Sequence, residues 1–226
     1  MAEIRLNKFL AERMGVSRRE ADNLIQSLKI FVDGENAEIG ARVTEKSEVK
    51  YRGRVIPFEN SYTYIAMNKP AGYVSSRKRQ GDVPTLYELL PDEYKHLKTV
   101  GRLDKDSSGL ILLTNDGDFA YKMTHPKFVK TKEYEVRLDS SLEPLHQQMI
   151  ADFGIELPDG KSQLGLERLD DMRKKWRVTM HEGRNRQIRR TFGALGYTVV
   201  KLHRTRFGKY QLGELKSGEF DVIKAI

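Results

Sequence analysis

Five histidines and no cysteine are what this 226-residue chain brings to metal and thiol chemistry. His96, His125, His146, His181 and His203 are scattered without H-x-x-x-H or H-E-x-x-H spacing, so neither a zinc site nor a histidine-based triad is expected. Without cysteine there is no disulfide framework, thiolate metal site, iron–sulfur cluster or thiol nucleophile, which fits a reducing compartment. Two further motifs fail on spacing. Gly160-Lys161-Ser162 resembles the end of a phosphate-binding loop, but five residues instead of four separate Gly154 from Gly160, and Glu156 and Asp159 would repel phosphates. Asp104-x-Asp106-x-Ser108-Gly109 imitates the first half of a calcium loop, yet Asn115 stands where the bidentate glutamate belongs. What remains is oxygen and nitrogen chemistry on the run Gly101 to Gly117, G-R-L-D-K-D-S-S-G-L-I-L-L-T-N-D-G. There Asp104 lies in a glycine-flanked loop feeding an apolar strand, a rigid seat suited to a catalytic carboxylate. By residue type alone, an aspartate in a turn is more often an Asx cap for backbone donors.

The elements that must position such a residue can be read from periodicity. Tyr62 to Asn68 reads as a strand ending in a Lys69-Pro70-Ala71-Gly72 turn, Leu110 to Leu113 as a buried strand, and Glu133 to Leu138 and Trp176 to Met180 as alternating strands. Asn185 to Leu195 reads as a helix closed by Gly196, with Ile188, Phe192 and Leu195 as its apolar stripe and Arg186, Arg189 and Arg190 pointing elsewhere. Several strands with few long helices make this an α+β region. The first 60 residues differ. Leu6, Phe9, Leu10 and Met14 share one face of a short helix stopped by Gly15, and Ser17-x-x-Glu20 caps a second helix carrying Ala21, Leu24, Ile25 and Leu28. Short strands come next at Ile30 to Val32 and around Val49, Tyr51 and Val55, with an Asp33-Gly34 turn. Pro57 to Ser61 is the expected linker, so two domains are expected, residues 1–58 and 62–226.

Charge points to a partner. The chain carries 40 Lys+Arg against 32 Asp+Glu, net +8, and residues 173 to 209 hold twelve basic side chains against Glu182 alone. Such a block cannot neutralise itself by local pairs, and a polyanion is the partner that tolerates it best. The stretch Glu143 to Asp171 has seven acids against Lys161 and Arg168 and is expected to face away from that polyanion. In the N-terminal region Arg18 and Arg19 sit in the first turn of a helix, where the dipole disfavours cations by a few tenths of a kcal/mol unless an outside anion compensates. Met1 to Leu10 carries Glu3, Arg5 and Lys8 and so lacks a signal-peptide core, and no apolar run approaches the roughly 18 residues of a membrane span; a cytoplasmic protein is expected.

Two resemblances sharpen this. The run R-L-N-K-F-L-A-E-R-M-G-V-S-R-R-E-A-D-N-L-I followed by V-D-G resembles the αL RNA-binding domain named after small-subunit ribosomal protein S-four. By that resemblance Arg5, Lys8, Arg18, Arg19 and Lys29 would face structured RNA. Gly101-Arg102-Leu103-Asp104, Ser107, Gly109, the aliphatics and Thr114-Asn115 resemble the signature of the RsuA/RluB/RluF family of pseudouridine synthases. Lys69-Pro70-x-Gly72, Lys132-Glu133-Tyr134, Glu182 to Arg190 and Lys201 to Arg206 agree in order and spacing, Asn185 to Arg190 and Lys201 to Arg206 most with the RluF branch. The implied second domain is a mixed, mainly antiparallel sheet flanked by helices.

The implied activity is conversion of one uridine in ribosomal RNA, most of all 23S rRNA, to pseudouridine, with no cofactor and no metal. Asp104 would be the essential carboxylate, acting as nucleophile or base. Arg189 would pair with it bidentately and keep it ionised under RNA, and Tyr134 would stack on the base and serve in proton transfer. Arg102 would fill the space left by the flipped base, Leu202 would line the uracil pocket, and Lys69 would hold the Asp104 loop. Arg184, Arg186, Arg190, Arg204 and Arg206 would meet RNA phosphates. Two alternatives stand beside this: a silent RNA-binding or ribosome-assembly factor, whose mark would be loss of Asp104, Tyr134 or Arg189, and a tRNA-directed synthase. All three residues are present. The expected substrate is ribosomal RNA, naked or in a pre-ribosomal particle, and the expected state is a monomer.

Overall fold

The structure is a computed structural model that describes residues 3–59 and 61–225. Asn60, within the expected linker, lies outside the described residues. The chain forms two compact units: residues 1–63 with 92–98 and 114–117, and residues 64–91, 99–113 and 118–226.

In the first unit β1 (Ile4–Arg5) leads into α1 (Leu6–Arg13) and α2 (Arg18–Gln26). Leu6, Phe9 and Leu10 meet Ala21 and Ile25 in a core completed by Ile30, Val43 and Val49, with Met14 and Leu24 packed at its margin. The Ser17 hydroxyl accepts the Glu20 amide at 3.1 Å, satisfying one of the orphan donors of α2. Beyond α2 come β2 (Ile30–Val32), β3 (Glu35–Asn36), β4 (Arg42–Val43), β5 (Val49–Tyr51) and β6 (Arg54–Val55). β1 pairs with β4, and the other four make an antiparallel sheet in the order β3-β2-β5-β6. Asp33 (φ 52°) and Gly34 (φ 91°) both turn left-handed, as a two-residue hairpin loop requires.

The second unit is built on a nine-stranded sheet. Its elements in chain order are β7 (Tyr64–Lys69), β8 (Lys98–Val100), β9 (Ser108–Thr114), α3 (Gly117–Thr124), β10 (Lys132–Leu138), α4 (Pro144–Gln148), β11 (Ile155–Leu157) and β12 (Gly160–Ser162). Then come β13 (Gly165–Arg168), β14 (Lys175–Met180), α5 (Gln187–Gly193), β15 (Val199–Phe207), β16 (Tyr210–Gln211) and β17 (Phe220–Ile223). The order is β13-β14-β10-β15-β9-β7-β17, with β16 on β15 and β8 on β9, while β11 and β12 form a separate hairpin. β10 is antiparallel to both β14 and β15, and the β15–β9 pair is parallel, so the sheet is mixed and the α+β class holds. Alternation explains the strands: in β10, Tyr134, Val136 and Leu138 are buried while Glu135 and Arg137 are exposed. The segment that imitates a phosphate loop ends in the hairpin strand β12, where Gly160 takes φ 109°.

The basic and acidic stretches fold together, contrary to expectation. Register places Glu167 opposite Arg177, and the two side chains pair at 2.5 Å. Asp159, between β11 and β12, pairs with Arg190 at 2.7 Å and Arg184 at 3.1 Å. The neutralisation is non-local, carried by strand pairing and a hairpin, which a count along the chain does not reveal. Among the described residues no helix is long and apolar enough to cross a membrane.

Candidate active site

Asp104 lies on the loop between β8 and β9, and that loop is braced from several sides. The Lys69 ammonium, wholly buried at the end of β7, donates to the carbonyls of Pro70, Asp104 and Ser107 at 2.8, 3.2 and 2.7 Å. Burial pushes its pKa down to about 8, against the pull of the Asp104 and Asp106 charges. The Ser75 hydroxyl both donates to the Leu103 carbonyl (2.9 Å) and accepts the Leu103 amide (3.2 Å). Ser107 N–H closes a turn onto the Asp104 carbonyl at 3.1 Å. Next in the chain, Gly109 (φ 103°) crosses β15 so closely that a Cβ there would stand 2.2 Å from the Arg204 carbonyl oxygen. Only glycine fits that crossing. The role expected of Lys69, holding the loop, is the one the structure gives it.

Asp104 opens onto a cavity of about 310 Å³, the small end of the range for ligand pockets. Arg102, Asp104, Tyr134, Arg186 and Leu202 all line it, with Lys132, Ile188, Arg204 and Phe207. Tyr134 and Leu202 are each 7% exposed and supply apolar wall from adjacent strands, β10 and β15. Arg102 is exposed.

The cation paired with the Asp104 carboxylate is not the one expected. Arg186 Nη1 lies 3.6 Å from Asp104 Oδ2, with both side chains about a third or more exposed. Arg189 instead donates to the carbonyls of Val199 (2.6 Å) and Asp106 (3.0 Å), does not line the cavity, and forms no bidentate pair with Asp104. Burial lowers its pKa, Arg186 adds to that, and Asp106 and Asp104 oppose it. The cause is the start of α5. Arg186 adopts a left-handed conformation (φ 47°) as its N-cap, so the helix begins at Gln187 instead of Asn185. A buried network fixes that start: Gln187 donates to Ser162 Oγ at 3.0 Å and to Glu182, and Ser162 shares a 2.8 Å bond with Thr191. The left-handed turn leaves Arg186 at the cavity and puts Arg189 one helical turn on, bracing the loop from behind.

The remaining expected RNA contacts divide. In the first unit Arg5, Arg18 and Arg19 are exposed, Arg18 reaching Asn7 at 3.2 Å, while Lys8 is half-buried and 3.9 Å from Glu12; Lys29 is exposed. In the second unit Arg184 and Arg190 are held by Asp159, and Arg206 pairs with Glu133 at 3.0 Å. Arg204 is 3% exposed, donates Nε to the Leu110 carbonyl at 2.7 Å and lies over the Phe207 ring at 4.9 Å. It is an interior cation, not an outward phosphate contact.

Lys132 stands in the Lys132-Glu133-Tyr134 motif, which gave it no role, and the structure places it in the site. It lines the cavity, donates to the Glu182 carbonyl at 2.9 Å, and burial, reinforced by Arg204 and opposed by Glu182, pushes its pKa down to about 8. The signal lies in the period-two rule, since Lys132 shares a strand face with Tyr134, as Arg204 does with Leu202. Among the described residues no group of three or more His, Asp or Glu side chains could hold a metal ion.

A single braced carboxylate over a small, half-apolar, cation-bearing cavity suits work on one nucleoside unit, and the two-helix unit ahead of it suits RNA. Comparison with known proteins identifies both parts. Residues 63–194 match the family described as RNA pseudouridylate synthase, and residues 4–49 match the S4 domain. The chain is 36% identical to ribosomal small subunit pseudouridine synthase A of Pasteurella multocida, over 98% of this chain and 97% of that one. It is 38% identical to the dual-specificity RNA pseudouridine synthase RluF of Salmonella typhi, over 96% of this chain and 74% of that protein. A solved structure described as a pseudouridylate synthase superposes with a TM-score of 0.70 at 33% identity, covering 98% of this chain and 96% of the other. The chain belongs to the RNA pseudouridine synthase family, and carries an S4 domain at its N-terminal end.

Proposed function

We propose that the protein converts a specific uridine of ribosomal RNA to pseudouridine, with Asp104 as the essential carboxylate. The observation that carries this is Asp104 fixed at a cavity of about 310 Å³, with Tyr134 and Leu202 as its apolar walls. The reaction breaks the bond from ribose C1′ to uracil N1, turns the base and rejoins it through C5; the proton on C5 leaves, N1 takes one up, and no electrons are gained or lost overall. A base stacked in folded RNA must first leave the stack, at a cost of a few kcal/mol that phosphate contacts elsewhere offset. Asp104 does its work as the anion, toward sugar or base, and Arg186 supplies the neighbouring positive charge. The Tyr134 ring stacks on the flipped base. Arg189 and Lys69 act through the loop they brace: they are positioning residues. Arg102, exposed at the rim, takes the place of the departed base in the duplex.

Large-subunit RNA is the substrate proposed, on the Asn185–Arg190 and Lys201–Arg206 runs and the likeness to RluF. The S4 domain, residues 1–58, contributes Arg5, Arg18 and Arg19 to binding, residues 62–226 do the chemistry, and the enzyme works as a monomer without cofactor. The test is incubation with ribosomal RNA lacking pseudouridine, followed by carbodiimide mapping. One new site in large-subunit RNA is expected, and Asp104→Asn should lower its formation by at least about 10³-fold while RNA affinity stays within about twofold. A site confined to small-subunit RNA or tRNA would overturn the substrate, and equal loss of binding and activity would overturn the role of Asp104.

A further inference from the structure

The segment from Tyr121 to Lys132 leaves the cavity wall at Thr124 and returns to it at Lys132, since both residues line the cavity. Between those tethers, rings gather on the surface. Tyr121, His125 and Phe128 have centroids 4.6, 5.7 and 6.4 Å apart, pair by pair. Lys127 Nζ lies over Phe128 at 4.7 Å and over Tyr121 at 5.8 Å. Of residues 121–131 only Met123 is buried, and Tyr121 is 47% exposed. The cluster therefore does little for the core. It is also held in shape: His125 N–H bonds the Tyr121 carbonyl at 2.9 Å, Pro126 comes next, and His125 Nδ1 accepts the Lys127 amide at 3.3 Å. Residues 121–132 carry Lys122, Lys127, Lys130 and Lys132 and no acid.

Two exposed rings, Tyr121 and His125, and the half-buried Phe128, interleaved with cations beside a base-sized cavity, are the ingredients of single-strand recognition, in which bases stack on π faces and lysines follow the phosphates. A protein partner would find the apolar rings but no acid to answer its own cations. We propose that Tyr121, His125 and Phe128, with Lys122 and Lys127, form a stacking platform for the unpaired nucleotides that adjoin the flipped uridine. This rests on the reading of the cavity as the seat of that uridine. It adds a function for the platform: once the target base has left its stack, its neighbours gain a second surface to stack on, which favours the open form of the RNA over the closed one.

The experiment measures fluorescence anisotropy of fluorescein-labelled oligouridine, about twelve nucleotides long, with the full-length protein at fixed salt, and of an RNA duplex of equal length. Tyr121→Ala with His125→Ala should weaken oligouridine binding about tenfold or more, the scale for removing a ring on which a base stacks, and leave duplex binding within twofold. Tyr121→Trp, which keeps a π face, should retain oligouridine affinity and guards against a folding artefact. Lys127→Ala should reduce the slope of log affinity against log salt by about 0.7. Oligouridine affinity unchanged in the double variant, an equal loss on duplex, or no oligouridine binding by the natural protein would each overturn the platform. Pseudouridine formation by the natural protein on ribosomal RNA reports separately on the cavity, so failure of one reading does not pass for failure of the other.

Discussion

The two units hold their positive charge in opposite ways. Arg5, Arg18 and Arg19 of the S4 domain are exposed, and two of them occupy the first turn of α2, where the helix dipole disfavours them. In the synthase unit the cations turn inward: Lys69 onto three carbonyls, Arg189 onto two, Arg190 and Arg184 onto Asp159, and Arg204 into the cavity wall. The region with the larger basic excess is thus one in which many cations are engaged by the protein's own carbonyls and carboxylates. A surplus of arginine along a chain measures a binding surface only after the carboxylates that folding brings to it have been subtracted.

The largest test of that contrast is Lys69→Met, which keeps the stem and deletes the inward ammonium. Loss of its three bonds lets the Asp104 loop shift, and turnover should fall about 10²-fold, the scale for misplacement of ~1 Å, with RNA affinity held within about twofold. The same variant has a pH signature. With a native pKa near 8 against the ordinary 10.5, Lys69 is charged in both folded and unfolded chains below about pH 8, and its burial penalty is then carried in full. Between about pH 8 and 10.5 the unfolded chain binds the extra proton, so stability rises with pH across that window. Urea midpoints at about pH 7.5 and about pH 9.5 should show a smaller rise in Lys69→Met than in the natural protein, the residual rise belonging in part to Lys132. An equal rise in both would show that Lys69 is not the titrating group.

The outward cations should behave differently. Arg18→Ala with Arg19→Ala should weaken ribosomal RNA binding about tenfold near physiological salt and flatten the log–log salt slope by roughly 1.5, since each phosphate contact contributes about 0.7 to 0.9, with the maximal rate at saturating RNA preserved. An unaltered slope would take the S4 domain off the RNA. Smallest on RNA, Arg190→Ala should leave the salt slope as it is and instead lower the unfolding midpoint. Asp159→Ala should do the same, and the pair together should cost less than the two losses summed. A slope change in Arg190→Ala would place that arginine on RNA despite its carboxylate.

Much of the framework is legible in the sequence. The Ser17 cap, the apolar face of α1, and the strands β7, β9, β10 and β14 emerge from local pattern, because each is decided by side chains within a few residues of one another. The loop carrying Asp104 is legible too, through its signature and the glycine that closes it. The features that escape depend on distant partners or on one backbone angle. β17 is four residues long and exists by pairing with β7 across about 150 residues of chain. Asp159 meets Arg190 through a hairpin whose neighbours in sequence give no hint of it. The exchange of Arg189 for Arg186 beside Asp104 turns on a single left-handed residue, with Ser162 and Thr191 fixing the helix beyond it. Arg204 misleads for another reason: its charge suggests solvent, while its strand position, two from Leu202, points indoors.

Gly109 links the carboxylate to the wall it works against. Because β9 and β15 touch there backbone to backbone, with no side chain between them to yield, the Asp104 loop is joined directly to the stretch from Leu202 to Arg204. Adaptation to a different RNA has little room in that seam. It has room at Arg102 and along Tyr121 to Lys130, where exposed side chains can change without moving the seat.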